Sequence, residues 1–226
     1  MADTPGGSIT IAGITYRSLE PCALKPELLL FDLGGVLVDF SGTRDLARLM
    51  RTPATPQEIL KRWLACPHTT AYEGGQLSAD GWASRFVRDW DLDVLPDVFL
   101  EAFASWSRGF FPGSVELLAE LRPRYRLAAL SNSNELHWKR NEELGILREF
   151  EFTLASHQIG CCKPDPAIFH AALNAAKLPP EAVIFFDDQP ANVAGAASCG
   201  IQAFQVDGVT GVRDRLVTEG LMKRSS

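Results

Sequence analysis

Leu28-Leu29-Leu30-Phe31-Asp32-Leu33-Gly34-Gly35-Val36-Leu37-Val38 constrains the fold of this chain more than any other stretch. Four apolar residues run straight into an acid with no polar alternation. That is the pattern of a strand covered on both faces, which parallel sheets require. Asp32 then falls at the carboxyl end of the strand, where open α/β sheets place their ligands. Gly34 and Gly35 let the backbone turn sharply and approach an ion or a phosphate. Taken alone, the stretch fits equally a buried strand closed by an Asx turn.

Beyond Pro112-Gly113 the chain alternates between two periods. A helix carrying Val115, Leu117, Leu118 and Leu121 precedes a strand over 126–130. A helix over 135–144, a short strand over 152–154, a helix over 166–176 and a strand over 183–186 follow. A helix over 191–198, a strand over 202–206 and a helix over 211–219 close the chain. This alternation predicts an α/β fold with a Rossmann-like parallel sheet and right-handed crossovers.

Residues 42–111 read differently. Thr55-Pro56-Gln57-Glu58 is a capping box with proline at the first helical position, and Ile59, Leu60, Trp63 and Leu64 follow on one face. Ser78 caps a second helix carrying Trp82, Phe86 and Trp90, and a third is expected over 94–106. The block holds four of the five tryptophans, so it reads as a helical insertion into the sheet domain. The expected division is an extension over 1–26, a core of 27–41 and 112–226, and a helical cap over 42–111. Within the extension, Ser8-Ile9-Thr10-Ile11 and Ile14-Thr15-Tyr16 form a hairpin or join a sheet edge, and Pro5, Gly6 and Gly7 are expected to be disordered.

A net charge of −6 argues against nucleic acid as a partner, though not against small phosphorylated molecules, which need only local positive charge. The five cysteines (Cys22, Cys66, Cys161, Cys162, Cys199) show no metal-binding spacing, which suits a reduced, cytoplasmic setting. The Cys161-Cys162 pair reads as a redox device or as two small loop residues. No leader sequence and no apolar run near the ~18 residues of a membrane span is visible, so no membrane partner is expected. A monomer or homodimer is expected.

Three further strand ends carry polar groups. Ser131-Asn132-Ser133-Asn134 leads into a helix, offering a hydroxyl and helix N-terminal amides to an anion, or simply an N-cap serine. Lys163 lies between Cys162 and Pro164-Asp165-Pro166, either a charge fixed near a phosphate or a solvated surface lysine. Asp187-Asp188 ends the strand over 183–186. Like charges this close are costly unless a cation neutralises them, and hard carboxylate oxygens suit Mg²⁺. Two cap residues is the alternative.

In this order and at these spacings, the four signals resemble the haloacid dehalogenase superfamily of hydrolases, over about residues 27–220. The motifs are Phe31-Asp32-Leu33-Gly34-Gly35-Val36-Leu37, Leu130-Ser131-Asn132, Lys163-Pro164-Asp165-Pro166-Ala167-Ile168-Phe169, and Phe186-Asp187-Asp188 with Asn192-Val193. The helical insertion resembles that superfamily's cap. Tyr72-Glu73-Gly74-Gly75-Gln76-Leu77-Ser78 is similar to a cap segment of the branch containing glucose-1-phosphate phosphatase and the N-terminal phosphatase domain of soluble epoxide hydrolase.

The resemblance implies a Mg²⁺-dependent phosphatase acting on a small phosphorylated metabolite. It implies that Asp32 forms an aspartyl-phosphate. Mg²⁺ would bind Asp32, the Gly34 carbonyl and Asp188, with Asp187 a ligand or a support. Ser131 and Lys163 would hold phosphate oxygens with Asn132 assisting, and cap residues would choose the leaving group.

One departure stands out. Most phosphatases of the superfamily carry a second aspartate two residues after the nucleophile, to move protons; here Gly34 occupies that place. The glucose-1-phosphate phosphatase branch shows a similar glycine and remains active. The loss should weigh least on acyl, aryl or anomeric phosphates, and with nothing in its place the phosphoenzyme should accumulate. Asp39 and His137 are expected either to substitute or to be surface residues. Two other functions fit the chain: a metal-free 2-haloacid dehalogenase, and a weakly catalytic regulatory protein that keeps the phosphate pocket.

Overall fold

Leu28–Phe31 is the central strand of a five-stranded parallel sheet, and all four of its side chains are fully buried. The computed structural model describes residues 8–11, 14–17 and 25–223. In chain order the strands are β1 (Ser8–Ile11), β2 (Ile14–Arg17), β3 (Leu28–Phe31), β4 (Val38–Phe40), β5 (Ser107–Phe110), β6 (Arg126–Ser131), β7 (Phe152–Ala155), β8 (Val183–Asp187) and β9 (Gln202–Gln205). The main sheet has the order β7-β6-β3-β8-β9, and every pairing is parallel. Phe31 lies opposite Ala129 on one side and Phe186 on the other, which aligns the carboxyl ends of β3, β6 and β8.

Alternation along β3 divides the core in two. Leu29 and Phe31 pack with Leu117, Leu121, Val212 and Leu216 from the helices Ser114–Leu121 and Gly208–Thr218. Leu28 and Leu30 pack on the other face with Ile168, Phe169 and Ala196 from the helices Pro166–Ala176 and Pro190–Ser198. Each such side chain removed from water contributes about 1.5–3 kcal/mol. An unbroken apolar run is therefore what this position in the sheet demands.

The inserted cap has an apolar cluster of its own, built on Ile59, Tyr72, Trp82, Phe86, Phe99, Phe103 and Trp106. Thr55 closes the expected capping box with Glu58, and Ser78 accepts from the Gly81 amide. The cap differs from the sequence reading in three respects. It has five helices (Gly42–Leu49, Pro56–Leu64, Pro67–Glu73, Ala79–Asp89 and Pro96–Ala104), where three were expected. The two extra helices have eight and seven residues, too short to show a full apolar period. An antiparallel β4–β5 pair joins the two crossings of the chain between sheet and cap. Its three- and four-residue strands carry no alternation, so only pairing across distant sequence reveals them. Finally, Leu60 and Leu64 do not share the buried face of Ile59 and Trp63; they are 39% and 57% exposed.

The two expected strands pair antiparallel as β1 and β2 and, among the described residues, do not join the main sheet. Pro5, Gly6 and Gly7 lie outside the described residues. Among the described residues no helix is long and apolar enough to cross a membrane.

Candidate functional site

The aligned strand ends bring Asp32, Ser131, Asp187 and Asp188 to one edge of the sheet, and a loop delivers Lys163 among them. The lysine is not a solvated surface group: its side chain is 1% exposed. Its Nζ donates to Asp32 Oδ1 at 2.7 Å, to Asp187 Oδ2 at 2.6 Å and to the Leu130 carbonyl at 3.0 Å. Burial works against the ammonium, but Asp187 and Asp32 outweigh it and hold the group above the ordinary lysine range. The Asn132 side chain clasps the lysine's main chain at both ends, accepting from the Lys163 N–H at 2.8 Å and donating to its carbonyl at 2.9 Å. That places Asn132 as a fixture for the lysine loop.

Asp187 is fully buried and saturated. Its carboxylate accepts from the Gln189 amide, the Asn192 side chain and Lys163. Asp188 reaches toward Gly35, where an added Cβ would lie 2.9 Å from Asp188 Oδ2; with φ at +79° this position requires glycine. Gly34 has no such restriction. A Cβ there meets only Phe40 Cβ, at 3.6 Å, so the glycine two residues after Asp32 is not forced by backbone or space. Carboxylate oxygens of Asp32, Asp187 and Asp188 lie within 4.8 Å of one another, a set able to hold a metal ion. Burial raises the Asp32 and Asp188 carboxyls, with neighbouring carboxylates adding to the effect.

Ser131 is buried at the end of β6 and lines the cavity with its hydroxyl. It is not the N-cap; Asn134 is, accepting from the His137 amide at 3.1 Å. Above the strand ends a cavity of about 530 Å³ separates sheet from cap. Its floor includes Asp32, Gly34, Ser131, Lys163 and Asp188, and its roof includes Leu60, Trp63, Leu64 and Glu73.

Of the two candidate substitutes for the absent aspartate, Asp39 does not line this cavity and His137 has both ring nitrogens engaged. Asp39 pairs with Arg44 at 2.6 Å. His137 is buried rather than superficial. Its Nδ1 accepts from the Asn134 amide at 3.1 Å and its Nε2–H donates to the Phe103 carbonyl at 2.7 Å, a tautomer assigned from these partners. Burial pushes its pKa down to about 4, so the ring is neutral. Cys162 borders the cavity with its thiol pushed up to about 11, chiefly by burial, which favours the loop-residue reading over a redox pair. Glu73 is the residue that sequence reasoning missed, although it lies within the quoted cap segment.

A parallel sheet gathering buried acids and a lysine at its carboxyl edge, under an inserted cap, defines a Rossmann-like α/β fold with a charged cleft at its strand ends. The pattern of the haloacid dehalogenase-like hydrolases matches residues 26–200. Phosphatase MT3486 of Mycobacterium tuberculosis (strain CDC 1551 / Oshkosh) is 28% identical over 203 residues, covering 84% of this chain and 92% of that protein. Acyl-CoA dehydrogenase family member 10 of Mus musculus is 26% identical over 189 residues. That match covers 79% of this chain, which spans only 18% of the mouse protein. A family enzyme of Bacteroides thetaiotaomicron, solved in complex with magnesium and inorganic phosphate, shares the fold with a TM-score of 0.65. It is 24% identical, over 80% of this chain and 94% of that one. This chain belongs to the haloacid dehalogenase-like hydrolases.

Proposed function

We propose that the chain is a Mg²⁺-dependent phosphatase that hydrolyses a small phosphorylated metabolite through an aspartyl-phosphate at Asp32. The observation that carries this reading is the buried cluster of three carboxylates against one ammonium. Negative charge in excess, on hard oxygen donors whose burial already disfavours ionisation, suits a divalent cation. Asp32, Asp188 and the Gly34 carbonyl would hold it, with Asp187 as a further ligand or a support. When bound, the ion supplies charge screening between an anionic nucleophile and an anionic substrate.

The chain's own residues do the rest. Lys163 and the Ser131 hydroxyl take phosphate oxygens, and Asn132 keeps the lysine in place. Asp32 attacks phosphorus, and the leaving group departs on the opposite side, toward the cap. Residues 42–111 act there as the cap over a core of 27–41 and 112–226, with 1–26 as an extension. Leu60, Trp63 and Leu64 offer an apolar surface, which favours a leaving group with an apolar or aromatic face, or the face of a sugar. The chain works as a monomer or homodimer in the cytoplasm, without nucleic acid or membrane as partner; its charge and cysteine usage support that placement.

The dehalogenase alternative attacks carbon and needs no acidic pair at the end of β8, so Asp187-Asp188 weighs against it. Gly34 is what favours a weakly catalytic regulatory protein. Phosphate release from a panel of phosphorylated metabolites, with Mg²⁺ or with EDTA, separates the phosphatase from both alternatives. Release with Mg²⁺ and none with EDTA is expected. Mg²⁺ should also raise the melting temperature of the unmodified protein but not of Asp188→Ala. An equal shift in both would remove Asp188 from the metal site.

A further inference from the structure

Transfer of a phosphoryl group from an alcohol to Asp32 leaves an alkoxide that needs a proton, and the second step needs a base for water. In-line displacement fixes where that group must be. Asp32 approaches phosphorus from the sheet, so the leaving oxygen, and later the attacking water, lies on the cap side. The titratable groups lining the cavity are Asp32, Glu73, His137, Cys162, Lys163 and Asp188. Asp32 is the nucleophile, Asp188 belongs to the metal cluster, Lys163 is locked between two carboxylates, and His137 has both nitrogens engaged. The Cys162 thiol is too weak an acid to cycle near neutral pH. Glu73 remains, and it comes from the cap.

Its position is built. Glu73 ends the helix Pro67–Glu73, and its carbonyl accepts from Ser156 Oγ at 2.6 Å. The same fully buried hydroxyl contacts the Ser133 carbonyl and accepts from the Ser133 N–H at 2.9 Å, tying Glu73 to the loop that follows Ser131. Two residues on, Gly75 has φ at +70°, and an added Cβ would lie 2.5 Å from the His157 carbonyl, so the seam between cap and core closes at this point. Glu73 and Trp63 line the cavity together from the cap side. From the geometry we infer that Glu73 is the general acid and base of this enzyme, in place of the carboxyl absent at Gly34. This rests on the phosphatase reading above.

The steps balance. Asp32 Oδ bonds to phosphorus, the phosphorus–leaving-oxygen bond breaks, and the Glu73 carboxyl gives its proton to that oxygen, releasing the alcohol. Glu73, now a carboxylate, takes a proton from water while the water oxygen bonds to phosphorus and the bond to Asp32 breaks. Inorganic phosphate leaves, with Asp32 and the protonated Glu73 restored. The electrostatics suit both roles: burial pushes Glu73 up to about 7, Lys163 draws it down, and Asp32 adds to the rise.

The test is Glu73→Gln, an isosteric change, studied with Mg²⁺ on an alkyl phosphate and on 4-nitrophenyl phosphate. On the alkyl ester the variant should lose about 10²–10⁴-fold in turnover. On the nitrophenyl ester it should release a burst of nitrophenolate, about one per site, and then turn over slowly, because only the second step still needs the base. The unmodified protein should show no burst, and Glu73→Asp should recover part of the loss. A purely structural role predicts equal losses on both esters and no burst; that result, or full activity of Glu73→Gln on the alkyl ester, overturns the assignment alone. If the unmodified protein releases phosphate from neither these esters nor the metabolite panel, the phosphatase reading falls and takes this assignment with it.

Discussion

His137 and Glu73 both border the cavity, and burial moves their titration in opposite directions. For His137 the consequence is one of stability. The ring titrates near 6.5 when unfolded and near 4 when folded. Between these values the unfolded chain binds more protons, so the contribution is complete above pH 6.5 and is lost as the pH falls toward 4. The full loss amounts to about 3–4 kcal/mol. Urea unfolding at pH 7.5 and 4.5 should show the unmodified protein losing about 2 kcal/mol more than His137→Gln; equal losses would contradict a buried neutral ring. Asp32, Ser131 and Asp187-Asp188 were legible in sequence because each directly ends or follows an apolar run, and Lys163 because it stands just ahead of a proline-initiated helix. Glu73 was not. An acid before Gly74-Gly75 looks like any helix end until Ser156 and His157, more than eighty residues away, are seen to hold it at the seam.

The helix Pro56–Leu64 shows the same limit at the scale of an element. Its start was readable because the capping box is local: the Thr55 amide donates to Glu58 Oε2 at 2.8 Å, and the Glu58 amide donates to Thr55 Oγ1 at 3.3 Å. Its faces were not readable, because apolar residues toward a core and apolar residues toward a cleft share one spacing. Ile59 and Trp63 enter the aromatic cluster, whereas Leu60 and Leu64 turn to the cavity. The double change Leu60→Ser, Leu64→Ser should therefore alter recognition more than stability. Steady-state kinetics should show KM for an aryl phosphate rising about tenfold, the effect of losing roughly 1–2 kcal/mol of apolar contact, with kcat and melting temperature nearly unchanged. A large drop in melting temperature with KM unmoved would show that these leucines belong to the core.

For the molecule as a whole, the parallel sheet and its crossovers were legible, since each strand and helix announces its own period. The relation of cap to core was not, because it rests on β4 pairing with β5 and on contacts from Thr70, Glu73 and Gly75 to the segment over 156–162. That closure sets the cap over Asp32 and leaves a cavity lined together by Asp32, Lys163 and Ser131. The central claim is that phosphate passes through Asp32. Acid-quenched protein from a reaction with 4-nitrophenyl phosphate and Mg²⁺, digested and read by mass spectrometry, tests it most directly. Glu73→Gln should yield the peptide containing Asp32 in phosphorylated form, and Asp32→Asn should yield none and release no phosphate. Undiminished phosphate release by Asp32→Asn, with no phosphopeptide from any variant, would contradict it.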